Sequence, residues 1–145
     1  MDLSIVIPLL NEAESLEELH SWITSVMAEN NFSYEIIFIN DGSTDGSWEI
    51  IKSLALESDS VKALNFKKNY GKSQALHAGF CEAKGNVVIT MDADLQDNPG
   101  EIPELYDLVI KKGYDLVSGW KKKRYDSVLF KNLPSKLFNK AARWT

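Results

Sequence analysis

The chain has 145 residues, 44% hydrophobic and 26% charged, with a formal net charge of −5. That is enough for one domain with a real core and ordinary soluble composition; a single cysteine, Cys81, excludes an intrachain disulfide and fits a reducing compartment. No window reaches the roughly 18 apolar residues of a membrane span, and the opening "MDLSIVIPLL" lacks the basic region of a signal peptide.

Two kinds of segment alternate along the chain. "LSIVIPLL" (3–10) is a near-continuous β-branched run, as in a strand covered on both faces. Residues 12–31 place Leu16, Leu19, Ile23, Val26 and Met27 at helical spacing, with four glutamates in the first two turns. "YEIIFIN" (34–40) is a strand; 46–57 is a helix with Ser43, Thr44 and Asp45 available as caps; "VKALNF" (61–66) is a strand. Residues 72–84 form a helix ended by Gly85, and 86–93 a strand. A helix begins around Pro99 and Pro103 and stops at Gly113, and "YDLVSG" (114–119) reads as a fifth strand. Trp22 and Trp48 read as helix-to-sheet packing. The alternation predicts an α/β domain over residues 1–120, with a mainly parallel sheet and helices on both faces.

In open parallel sheets, ligands bind outside the carboxyl ends of the strands. Polar residues collect there: Pro8 then Asn11-Glu12, the run Asn40 to Gly46, Asn65 then Asn69 to Lys72, and Asp92-Ala93-Asp94-Leu95-Gln96. "DGSTDG" alone is also a good turn and helix cap. Asp92 and Asp94 are two apart, so on an extended chain they point the same way. With Gln96 beyond them they offer hard oxygen ligands, suited to Mg²⁺ or Mn²⁺ rather than zinc; solvated aspartates in a strand-end loop are the alternative. A response-regulator receiver would want paired acids after the first strand, where Asn11-Glu12 stand. Neither G-x-G-x-x-G nor a P-loop occurs.

The ordered set "SIVIPLLNEAESL", "IIFINDGSTDGS", "NYGKSQALHAGF", "VVITMDADLQDNP" and "DLVSGWKKKR" resembles a family 2 glycosyltransferase with the GT-A fold. The resemblance is greatest to the dolichyl- and polyprenyl-phosphate sugar transferase branch. It implies that Pro8, Asn11 and Glu12 line a nucleotide pocket, that Asp41 contacts base or ribose, and that Ser43 and Asp45 shape that loop. Lys72 would lie near the nucleotide. Asp92 and Asp94 would be the catalytic D-x-D pair at the diphosphate and metal, with Gln96 a further metal ligand. The implied reaction is a single inverting displacement from a UDP- or GDP-sugar to a polyprenyl phosphate. A saccharide hydroxyl acceptor is a second reading, and a non-catalytic nucleotide-binding or membrane-docking module a third; no nucleic-acid partner is expected.

Residues 121–145 carry eight basic side chains against Asp126 alone, a surplus of +7 that leaves residues 1–120 at −12. This suggests an anionic partner near that end or a solvated basic helix. Lys121, Lys122, Lys123 and Arg124 are the candidates for holding an acceptor phosphate. Lysines opposite the stripe Phe130, Leu133, Leu137, Ala141 and Trp144 suit a membrane interface or a helix packed on the fold. The expected location is the cytoplasmic face of a membrane, peripheral or anchored by a C-terminal region beyond Thr145. Relatives usually continue past this point, so the chain is expected to be a catalytic domain cut short.

Overall fold

The computed structural model describes residues 1–119. They form β1 (Leu3–Leu9), α1 (Leu16–Glu29), β2 (Tyr34–Asn40), α2 (Ser47–Glu57), β3 (Val61–Asn65), α3 (Lys72–Glu82) and β4 (Val87–Thr90). A 3₁₀ turn (Pro99–Glu101) then runs into α4 (Ile102–Ile110). The 4-stranded sheet has the order β3-β2-β1-β4, and every pairing is parallel. The predicted α/β class with a mainly parallel sheet is what the chain adopts.

β1 is buried along its whole length because both its faces are covered. Leu3, Ile5, Ile7 and Leu9 join one core with Leu16, Leu19, Ile23 and Met27 of α1, Ile51 of α2 and Ile102 of α4. Val6 faces the other way, onto Ile37, Ile39 and Ala75 of α3. Period-two alternation along β1 thus divides the helices between the two faces. α3 lies close to the sheet: a Cβ on Gly79 would stand 2.4 Å from Val6 Cγ1. Trp48 packs against the larger core as expected, whereas Trp22 is 39% exposed and does not.

At the amino end of the sheet, Glu35 is buried and accepts from Ser4 Oγ at 2.6 Å and from the Lys84 N–H at 2.7 Å, with Lys62 Nζ at 2.6 Å. Burial opposes its ionisation, but these bonds and the Lys62 charge outweigh it and hold the carboxyl below its usual range. The group ties β1, β2, β3 and the α3–β4 loop together.

Two expectations need correction. α1 begins at Leu16 rather than residue 12: the N–H groups of Asn11 and Ala13 are bonded to Ser43 and Asp45 of the loop after β2, and that of Glu12 to Ser47 at the start of α2. The fifth strand does not form: among the described residues, 114–119 pair with no strand. They border a groove of about 1240 Å³ beside β4, and Tyr114 and Leu116 (86% exposed) lie in solvent.

Candidate active site

The chain runs outward from β1 to β2 to β3 and then returns to place β4 on β1's other side. The sheet's switch point therefore lies at the carboxyl ends of β1 and β4, where open α/β sheets bind ligands. A cleft of about 310 Å³ opens there. Pro8, Leu9, Leu10 and Glu12 line it from the β1 end, Asp41 from β2, Asn69, Gly71 and Lys72 from the start of α3, and Asp92, Ala93 and Asp94 from β4.

The loops around the cleft are knitted by hydrogen bonds. Asn11 has φ +58, and its N–H donates to Ser43 Oγ at 2.8 Å while its Oδ1 accepts from the Thr44 N–H at 2.8 Å. The Glu12 N–H donates to Ser47 Oγ at 3.0 Å and the Ala13 N–H to Asp45 Oδ2 at 3.1 Å. Asp45 Oδ1 takes the Ser47 hydroxyl at 2.5 Å and its N–H at 3.0 Å. Bonds from the Ser47 side chain and then from backbone N–H groups outweigh burial and hold the Asp45 carboxyl below its usual range. Asn11, Ser43 and Asp45 thus shape the loops but are not among the residues lining the cleft.

Asp41, 5% exposed, accepts the Tyr70 N–H at 2.7 Å and the Gly71 N–H at 2.9 Å. Gly71 is the N-cap of α3 and makes no side-chain capping bond, so the amino end of the helix opens on the cleft with the Asp41 carboxylate on its N-cap N–H. Lys72, the first residue of α3, pairs with Asp92 in an exposed ion pair.

β4 ends at Thr90, so Asp92 and Asp94 follow the strand instead of extending it. The Asp92 N–H is held by Asp97 Oδ2 at 2.9 Å, and Asp94 Oδ1 accepts the Gln96 N–H at 3.1 Å. Between them Leu95 takes φ +61 and packs against the core. Both carboxylates line the cleft, whereas Gln96 borders the groove beside β4. Burial, and then the charges of Asp94, Asp45 and Asp92, push the Glu12 carboxyl above its usual range.

Among the described residues no three His, Cys, Asp or Glu side chains stand close enough to enclose a metal on their own. Two carboxylates at an exposed cleft still fit Mg²⁺ or Mn²⁺, which keep several waters and share their shell with substrate phosphates. Lys121, Lys122, Lys123 and Arg124 lie outside the described residues. Ser47, Leu10 and Asn69 carry parts that sequence reasoning did not assign. Ser47 ends the "DGSTDGS" run, where its place at the start of a helix was the available signal; Leu10 carried none.

Residues 4–144 match the family model described as Glycosyl transferase family 2. Over 141 residues the chain is 43% identical to an undecaprenyl-phosphate 4-deoxy-4-formamido-L-arabinose transferase of Aeromonas hydrophila and 44% identical to one of the same name from Pseudomonas fluorescens. These alignments take in 97% of the chain but 43% and 41% of the relatives, so the chain spans less than half the length of the curated relatives it matches. Among solved structures it is similar in fold to S. aureus TarS 1-349 in complex with UDP, with TM-score 0.63 and 18% identity over 90% of this chain and 40% of that one. It is likewise similar to mannosyltransferase PcManGT from Pyrobaculum calidifontis in complex with GDP-Man and Mn²⁺, with TM-score 0.61 and 21% identity over 74% and 32%.

Proposed function

The chain belongs to glycosyl transferase family 2, and on that premise we propose that it is the nucleotide-sugar-binding part of an inverting glycosyltransferase. The donor is a UDP- or GDP-sugar and the acceptor a polyprenyl phosphate. One observation carries the reading: Glu12, Asp41, Lys72, Asp92 and Asp94 converge on a single cleft at the sheet's switch point. The names of the relatives at 43–44% identity support the lipid-phosphate acceptor. Residues 1–120 form the donor-binding core and 121–145 the acceptor side, where Lys121 to Arg124 hold the anionic acceptor. The reaction takes place at the cytoplasmic face of a membrane.

The residues divide the work by charge. Pro8 to Leu10 wall the cleft on the β1 side and seat the nucleoside. Lys72 and the amino end of α3 face the diphosphate, where positive charge favours an anion. Asp92 and Asp94 would hold Mg²⁺ or Mn²⁺, with Gln96, on the neighbouring groove, as the further ligand. Such an ion would supply positive charge to stabilise a diphosphate leaving group. A lipid phosphate is already anionic near neutral pH and attacks without a general base, whereas a hydroxyl acceptor needs one.

Product analysis tests the reaction. With nucleotide sugar, Mn²⁺ and undecaprenyl phosphate, label from the sugar should move into the organic phase and vanish in Asp94→Ala. Label that remains in water-soluble saccharide would contradict the lipid-phosphate acceptor.

A further inference from the structure

We infer that Asp41 is a positioning residue: it holds the Tyr70–Gly71 turn by its two amides and so fixes where Lys72 enters the cleft. The inference rests on the proposed function for what Lys72 then binds, but its structural half stands on geometry alone. Both Asp41 oxygens are engaged, one on each amide, at 2.7 and 2.9 Å. Asp41 is 5% exposed, and the two amides its carboxylate accepts belong to the backbone of another loop, 29 and 30 residues further along the chain.

Four other features act on the same turn. Gly42 has φ +75 and sits against the Lys68–Asn69 backbone, where a Cβ would stand 2.4 Å from the Lys68 carbonyl carbon. Asn40 Nδ2 donates to Asn65 Oδ1 at 2.7 Å, and the Phe66 N–H donates to the Asn40 carbonyl at 2.9 Å. The Tyr70 ring stands edge-on to Phe66 at 5.5 Å between centroids, with Lys68 Nζ 5.2 Å from its centroid. Gly71 itself has φ +96 and ψ 153, a region essentially restricted to glycine.

These contacts clamp the β3–α3 loop onto the end of β2, and α3 starts at the next residue, Lys72. A side chain emerging from the first position of a helix takes its direction from the turn before it. Releasing the two amides frees the turn to move and carries Lys72 away from Asp92. Asp41 therefore acts on the phosphate end of a ligand through Lys72, and not through a contact with the base.

The experiment pairs amide hydrogen exchange with calorimetry on wild type, Asp41→Asn, Lys72→Met and the double variant. Titrants are UDP or GDP, whichever the wild type takes, and the matching monophosphate, all with Mn²⁺. Asp41→Asn should raise exchange at Tyr70 and Gly71 by about 10- to 100-fold, the loss of a bond to a charged acceptor. It should weaken the diphosphate about tenfold, leave the monophosphate within about twofold, and add little in the Lys72→Met background. Gly71→Ala, which distorts the turn and leaves the carboxylate intact, should give the same selective loss and carries the test if Asp41→Asn fails to fold.

Unchanged exchange would overturn the positioning role. Equal loss of monophosphate and diphosphate, or a full Asp41 effect without Lys72, would overturn it in favour of a direct base or ribose contact. If the wild type binds neither UDP nor GDP, the proposed function fails instead, and the exchange rates alone decide whether Asp41 holds the turn.

Discussion

At the scale of single residues, the cleft concentrates negative charge that Lys72, through its ion pair with Asp92, neutralises only in part. Glu12 shows the consequence: its folded pKa lies above the unfolded value, so ionising it costs stability once the pH exceeds the folded pKa. Glu12→Gln should therefore melt higher than wild type at pH 7 to 8 in the absence of ligand. The difference should close below about pH 4, where the unfolded carboxyl is protonated as well. Paired thermal melts check this, and a lower melting point for the variant at neutral pH would refute it. Two glycines provide a second contrast. Gly42→Ala meets backbone at 2.4 Å, so it should cost more than about 2 kcal/mol by denaturant unfolding and loosen the loop at 67–71. Gly71→Ala meets nothing within 4 Å and should cost only its conformational strain, about 1–3 kcal/mol. The sequence pointed to Ser43 and Asp45 as loop-shaping residues and to Asn11 as part of a pocket. Which of them would be consumed by backbone bonds, as Asp45 is, depends on the approach of loops 30 residues apart and leaves no mark in a local pattern.

At the scale of elements, the long apolar runs were legible and their ends were not. β1 and β2 announced themselves because strands covered on both faces need no polar alternation. α1 lost its first turn where side chains of the β2–α2 loop and of Ser47, the first residue of α2, take its N–H groups, and β4 stopped short of the aspartates, where Asp97 takes the Asp92 N–H locally. The segment 114–119 had strand composition, yet it borders the groove beside β4, the sheet's edge strand, without pairing to it. Glu35 was equally silent in the sequence, as a lone acid within an apolar strand, yet it joins three strands and a loop. Glu35→Gln should destabilise the protein by about 2–4 kcal/mol at pH 7, since one carboxylate answers a hydroxyl, an amide and Lys62. Its folded pKa is lowered, so the stability it contributes is present above the ordinary carboxylate range and disappears as pH falls through the folded value. The gap between wild type and variant in urea melts should therefore narrow on acidification below about pH 4. A constant gap would show that packing, not charge, is what the position supplies.

At the scale of the whole molecule, strand order creates the site. Sending the chain out through β2 and β3 and back to β4 leaves the carboxyl ends of β1 and β4 adjacent. The α3 crossover then delivers Lys72 to the same place. Residues from positions 8 to 94 meet there, which is why four separate polar clusters in the sequence were a better guide than any one of them. The central claim is that this meeting place grips a divalent ion together with a nucleoside diphosphate. Calorimetric titration of the protein with UDP and GDP, each with and without Mn²⁺, tests it most directly. The account predicts binding of one of them that strengthens at least about tenfold with Mn²⁺, a gain that Asp94→Ala abolishes without unfolding the chain. Binding of equal strength with and without the metal, or a Mn²⁺ gain that survives Asp94→Ala, would contradict it.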